Sequence, residues 1–160
     1  MKNKVIIIFS WFLVLLTMII IFNFSGQSSE QSAEVSEGVI VQILDIVMDK
    51  EDITPQVVKK FQLPIRKLAH FAIYMLLGFC MISAFEKTFY IKKYLNIFFS
   101  FLASLAYAIT DEIHQNFSKN RGPRMFDVFI DTCGAVVGIL VFILFIHIYS
   151  KYVLKKSRTF

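Results

Sequence analysis

Asp111-Glu112-Ile113-His114-Gln115 sets two carboxylates, an imidazole and a carboxamide within five residues, and Arg121, Asp127 and Asp131 follow. The sequence on either side is apolar. A charge at the centre of a bilayer costs about 2.5–3.5 kcal/mol or more, so ionisable side chains there are usually paired or functional. A second group lies upstream, where Arg66, His70 and Tyr74 recur at i, i+4 and i+8 beside Lys67. Asp111, Glu112, Asp131 and His70 are the candidates for acid–base chemistry. A carboxyl buried near like charges holds its proton toward neutral pH, and imidazole titrates there already. Arg66, Lys67 and Arg121 are the candidates for holding phosphate or carboxylate, with arginine suited to two-point contact. Tyr74, Gln115, Asp127, Ser25 and Gln27 complete the candidate binding set. A divalent metal site built from carboxylates and His is the other reading, but its signal is weak, since there is neither H-E-x-x-H nor a cysteine pair; no metal ligand is assigned, and the residues imply no particular cofactor.

These side chains need helices to carry them. The chain of 160 residues is 56% hydrophobic, with 18 Phe and only 18% charged residues. That is too apolar for an ordinary soluble domain and fits a polytopic membrane protein of one domain, residues 1–160. The net charge of +5 does not point to nucleic acid, because the basic residues flank apolar runs instead of forming one patch. Cys80 and Cys133 sit inside apolar segments and read as buried free thiols. Four membrane spans are expected at residues 5–22, 65–85, 94–115 and 126–149, each long enough for a core of about 30 Å. Between the first two, Val39, Ile40, Ile43, Leu44, Val47 and Met48 recur at helical spacing. They predict a short amphipathic helix on the membrane surface or on the bundle. Thr54-Pro55 predicts a further short helix through Phe61, and Pro64 the start of the next.

Lys2 and Lys4 precede the first span, and the turn with Lys87, Lys92 and Lys93 and the tail are also basic. This places both termini in the cytoplasm. Arg66, Lys67, Lys119, Arg121 and Arg124 oppose that orientation. His70, Asp111 and Asp131 would each then lie about 7–9 Å below the outer ends of their helices, at 1.5 Å per residue. Polar stripes on three helices would meet at one level with Ser25 and Gln27, in a small pocket open outward. The competing reading is structural: charges near helix ends pair with each other, Asp127 favours a helix N-terminus, and Arg66 and Lys67 reach for headgroups.

The motifs that carry these residues resemble those of the VanZ-like family of small bacterial membrane proteins. Phe24-Ser25-x-Gln27, Arg66-Lys67-x-x-His70-Phe71-x-x-Tyr74, and Asp111-Glu112-Ile113-His114-Gln115 with Arg121, Asp127, Asp131, Gly134 and Gly138 are similar to its motifs, in the same order over nearly the whole chain. The turn departs from them, with Lys119-Asn120 where a Pro-Gly pair is common. The resemblance implies an all-α protein of the bacterial cell membrane. It also implies a link to resistance against teicoplanin and related lipoglycopeptides. It names a phenotype and leaves the chemistry to the pocket. The functional reading is engagement of an outer-leaflet lipid, a lipid-linked cell-wall precursor or a lipoglycopeptide. The alternative is a non-catalytic scaffold or partner of envelope enzymes. Catalysis is left open.

Overall fold

The computed structural model describes residues 4–27, 29–116 and 125–157, which form five α-helices and one 3-10 turn and no strand. These are α1 (Lys4–Ser25), α2 (Ser29–Val47), α3 (Pro55–Thr88), α4 (Lys93–Asn116) and α5 (Met125–Ser157), with the 3-10 turn at Lys50–Asp52 between α2 and α3. Four of them, α1, α3, α4 and α5, are long and apolar enough to cross a membrane. The protein is an all-α, multi-pass membrane protein. Residues such as Ile8, Phe12, Leu16, Phe98, Leu140 and Leu144 are exposed on the bundle's outer faces, as side chains solvated by lipid should be.

Two boundaries differ from the sequence expectation. The separate helix ending at Phe61 and the span starting near Pro64 are one helix of 34 residues, with Pro64 inside it. Proline removes one amide donor and crowds the carbonyl four residues earlier. Continuous packing on both sides outweighs that local cost: Val58 is buried with Ile40 and Leu44, and Tyr74 and Leu77 are buried in the bundle. The start of α3 follows its sequence signal. Thr54 caps it by accepting from the Val57 amide at 3.4 Å, and Pro55 occupies the first turn.

The amphipathic segment is also longer than its stripe, running from Ser29 to Val47. Only Ile40 and Leu44 of the six stripe residues are buried, against Val58 of α3. Val39, Ile43, Val47 and Met48 stay exposed. The helix thus rests on the N-terminal extension of α3 along one narrow seam.

The tightest packing is between α3 and α5. A Cβ at Gly78 would overlap the backbone of Ala135, one at Gly134 the backbone of Phe71, and one at Gly138 the backbone of Met75. Only glycine allows this approach, which lets dispersion contacts hold two helices where lipid offers no hydrophobic drive. On α4, Asn96, Ser100 and Ser104 are buried at i, i+4 and i+8, and the Ser104 hydroxyl donates to the Ser100 carbonyl at 2.9 Å. At the end away from Asp111, Trp11 Nε1 donates to Thr88 Oγ1 at 2.9 Å, and Lys87 Nζ donates to Ser10 Oγ at 3.1 Å. Both bonds tie α1 to α3.

Candidate functional site

α1 and α4 end, and α5 begins, at the same end of the bundle, at the level where α3 passes His70. There the polar side chains gather. Ser25 closes α1 and is fully buried; its hydroxyl donates to Asp111 Oδ2 of α4 at 2.9 Å. Gln115, one turn beyond Asp111, donates through Nε2 to the same carboxylate oxygen at 3.1 Å and to Ser25 Oγ at 3.2 Å. Helical spacing makes this possible, because residues four apart share a face. Asp111 is thereby fixed through Oδ2, while its buried Oδ1 takes neither of these bonds.

Asp131 of α5 approaches from the other side. It is 1% exposed, and its Oδ1 lies 3.7 Å from His70 Nδ1 of α3. His70, Asp111 and Asp131 each bring one nitrogen or oxygen within 4.8 Å of the others. Tyr74, one turn along α3 from His70, is fully buried between them and the apolar core, with Tyr107 as a ring neighbour at 6.4 Å. The glycine contacts explain why α5 can deliver Asp131 so close to α3: Gly134, three residues on, rests on the Phe71 backbone.

The structure therefore brings together Ser25, His70, Tyr74, Asp111, Gln115 and Asp131 from four helices. Other candidates stand apart. Glu112 is buried, but successive residues of a helix point about 100° apart, and it lies outside the trio. Lys67 pairs with Asp127 at 3.5 Å and lies 4.3 Å over the Phe126 ring, which ties α3 to the start of α5. His114 stacks on Phe22 of α1 at 4.1 Å instead of turning to His70. Arg121 and its turn lie outside the described residues.

Tyr107 is a member that the sequence reading missed. Its hydroxyl donates to the Met18 carbonyl at 2.6 Å and locks α4 against α1. The signal was present, since residues 107, 111 and 115 repeat at four.

Beside the cluster, α1, α2 and α3 enclose an open cavity of about 240 Å³. Ile21, Val35, Val39, Ile65 and Ile73 give it apolar walls; Ser25, Gln27, Arg66 and His70 give it a polar side. Arg66 and His70 also line a small cleft on the far side, toward Asp127 and Asp131. His70 therefore stands between the cavity and the buried carboxylates.

A family model described as VanZ/LLP1 matches residues 9–146. The chain belongs to the VanZ/LLP1 family. No curated protein and no solved structure matches it. The matched region of this VanZ/LLP1 chain contains all four candidate spans' apolar cores and every residue of the cluster.

Proposed function

We propose that this VanZ/LLP1 protein engages an amphiphile of the outer leaflet, a lipid, a lipid-linked cell-wall precursor or a lipoglycopeptide, and so contributes to resistance against teicoplanin and related drugs. The cavity between α1, α2 and α3 carries this reading: its walls are apolar, and Arg66, Gln27 and His70 stand together on its polar side. Small-molecule sites usually combine an apolar lining with a few placed polar groups. The cavity falls below the usual range of about 300–1,000 Å³, so it suits the part of an amphiphile where chain meets headgroup, and the remainder extends into the bilayer. Arg66 supplies a fixed cation for phosphate or carboxylate.

The basic residues at Lys4, Lys87, Lys92 and Lys93 support an orientation with both termini in the cytoplasm, which opens the cavity to the outer leaflet. The test is susceptibility to teicoplanin and to vancomycin in a sensitive Gram-positive host, at matched membrane levels of protein. Wild type should protect selectively against teicoplanin, and Arg66→Gln and Asp111→Asn should lose at least about tenfold of that protection, the loss expected when about 1.4 kcal/mol of binding is removed. A glycopeptide acts outside the cell, so such dependence also requires the outward orientation. Equal protection by all three proteins would remove these residues from function and leave a scaffold for envelope enzymes as the better account.

A further inference from the structure

The trio of His70, Asp111 and Asp131 raises a question that amphiphile binding does not answer. Two carboxylates face one imidazole at a depth where few charges are tolerated, and each comes from a different helix. A register-fixing ion pair needs only one acid and one base. Here His70 already lies beside Asp131 at 3.7 Å, and Asp111 is a second acid at the same point. Buried like charges repel strongly at low dielectric unless something neutralises them.

We infer that His70, Asp111 and Asp131 form a binding site for a divalent first-row metal ion, with Tyr74 at its edge. The donor distances are close to what an ion requires. Ligands on a tetrahedral ion with bonds of about 2.1 Å stand about 3.4 Å apart. His70 and Asp131 are already within a few tenths of that spacing, and all three donors lie within 4.8 Å of one another.

A second observation is independent of the cluster of acids. The Tyr74 hydroxyl is fully buried, lies near Asp131, and turns to the Asp111 carboxylate within side-chain hydrogen-bonding reach. Ser25 and Gln115 both hold Asp111 Oδ2, which leaves its buried Oδ1 clear of both donors. Buried polar groups are nearly always satisfied, and a carboxylate oxygen that neither orienting donor uses is the atom left for a ligand. A metal-bound water would donate to or accept from Tyr74, and Asp111 Oδ1 would be the coordinating atom. Ser25 and Gln115 then act as the outer partners that orient a ligating carboxylate.

The donor set also selects the ion. One imidazole nitrogen with two carboxylates suits Zn²⁺, Mn²⁺ or Fe²⁺ better than Ca²⁺ or Mg²⁺, which prefer oxygen alone. His-carboxylate sites with open positions are those at which bound water is activated or an anionic ligand oxygen is held. Such an ion would sit beside His70, on the wall of the cavity. The inference concerns the ion alone and stands whether or not the cavity takes an amphiphile.

The full-length protein, purified in detergent and stripped with chelator, would be reloaded with Zn²⁺, Mn²⁺ or Co²⁺ and desalted. Metal content would be measured by mass spectrometry, and the Co²⁺ form by its visible absorption. Wild type should retain a single equivalent per chain and show ligand-field bands. His70→Ala and Asp131→Asn should lose both. Ser25→Ala should weaken retention by about 10–100-fold, the usual cost of removing an outer partner. His147→Ala, on the exposed far part of α5, should bind as wild type does. The Co²⁺ spectrum of wild type needs no variant, so a misfolded mutant cannot decide the matter. A featureless spectrum with no retained ion would overturn the site, as would loss of the ion from His147→Ala but not from His70→Ala.

Discussion

Single residues differ in how they reach the cluster, and Ser25 shows this best. It is an ordinary serine at the end of an apolar helix, yet it is fully buried and donates to Asp111 across 86 residues of sequence. Removing it leaves a buried carboxylate with one donor fewer. A hydrogen bond to a charged group contributes about 1.5–3 kcal/mol in soluble proteins, and bonds between membrane helices contribute less. Ser25→Ala should therefore destabilise the fold by about 1–2 kcal/mol. Ser150→Ala, whose hydroxyl only returns to the His147 carbonyl, should change it by less than about 0.5 kcal/mol. Thermal unfolding in detergent, followed through Trp11, the single tryptophan, reads both. Spacing made Ser25, Asp111 and Gln115 visible as candidates. It could not show that His114 turns to Phe22 and away from His70, because a helix face is wide enough to serve two neighbours.

At the scale of elements, glycine decides how near α5 comes to α3. Gly134 and Gly138 were legible as motif positions four residues apart, hence on one face of a helix. Gly78, their counterpart on α3, became meaningful only once its partner Ala135 was known. Gly138→Ala drives a methyl into the Met75 backbone, which cannot yield as a flexible side chain would. It should cost about 3 kcal/mol or more, at the upper end for overpacking. It should also displace Asp131 from His70. Gly38→Ala on α2 is the contrast. Nothing lies within 4 Å of its Cβ position, so the substitution should stabilise the helix by about 0.5–1 kcal/mol. The two melting temperatures should move in opposite directions. Pro64 teaches the converse lesson: a local breaker was overridden by packing at both ends of α3, information that a window of sequence does not hold.

For the whole molecule, the four spans were legible because length and hydropathy are enough to specify a crossing helix. The convergence of Ser25, His70, Asp111 and Asp131 was legible too, because alternating helix directions put the four positions at one level. The cavity was not. It arises where α2 folds back over the extension of α3 along the Ile40–Leu44 seam, and no periodicity encodes the space left beside such a seam. The cavity meets the cluster at Ser25 and His70, and the proposed function turns on what enters it.

Photochemical capture tests this most directly. A diazirine side chain would be placed at Val39, on the cavity wall, and in a separate protein at Ile46, on the exposed face of α2. Both would be activated in living cells, and the attached molecules identified by mass spectrometry. The account predicts that the Val39 position captures an amphiphile with an anionic headgroup, enriched over bulk lipid, and that Arg66→Gln reduces its yield severalfold. If Val39 and Ile46 capture the same lipids in the same proportions, and Arg66→Gln changes neither, the cavity is not a binding site and the central claim fails.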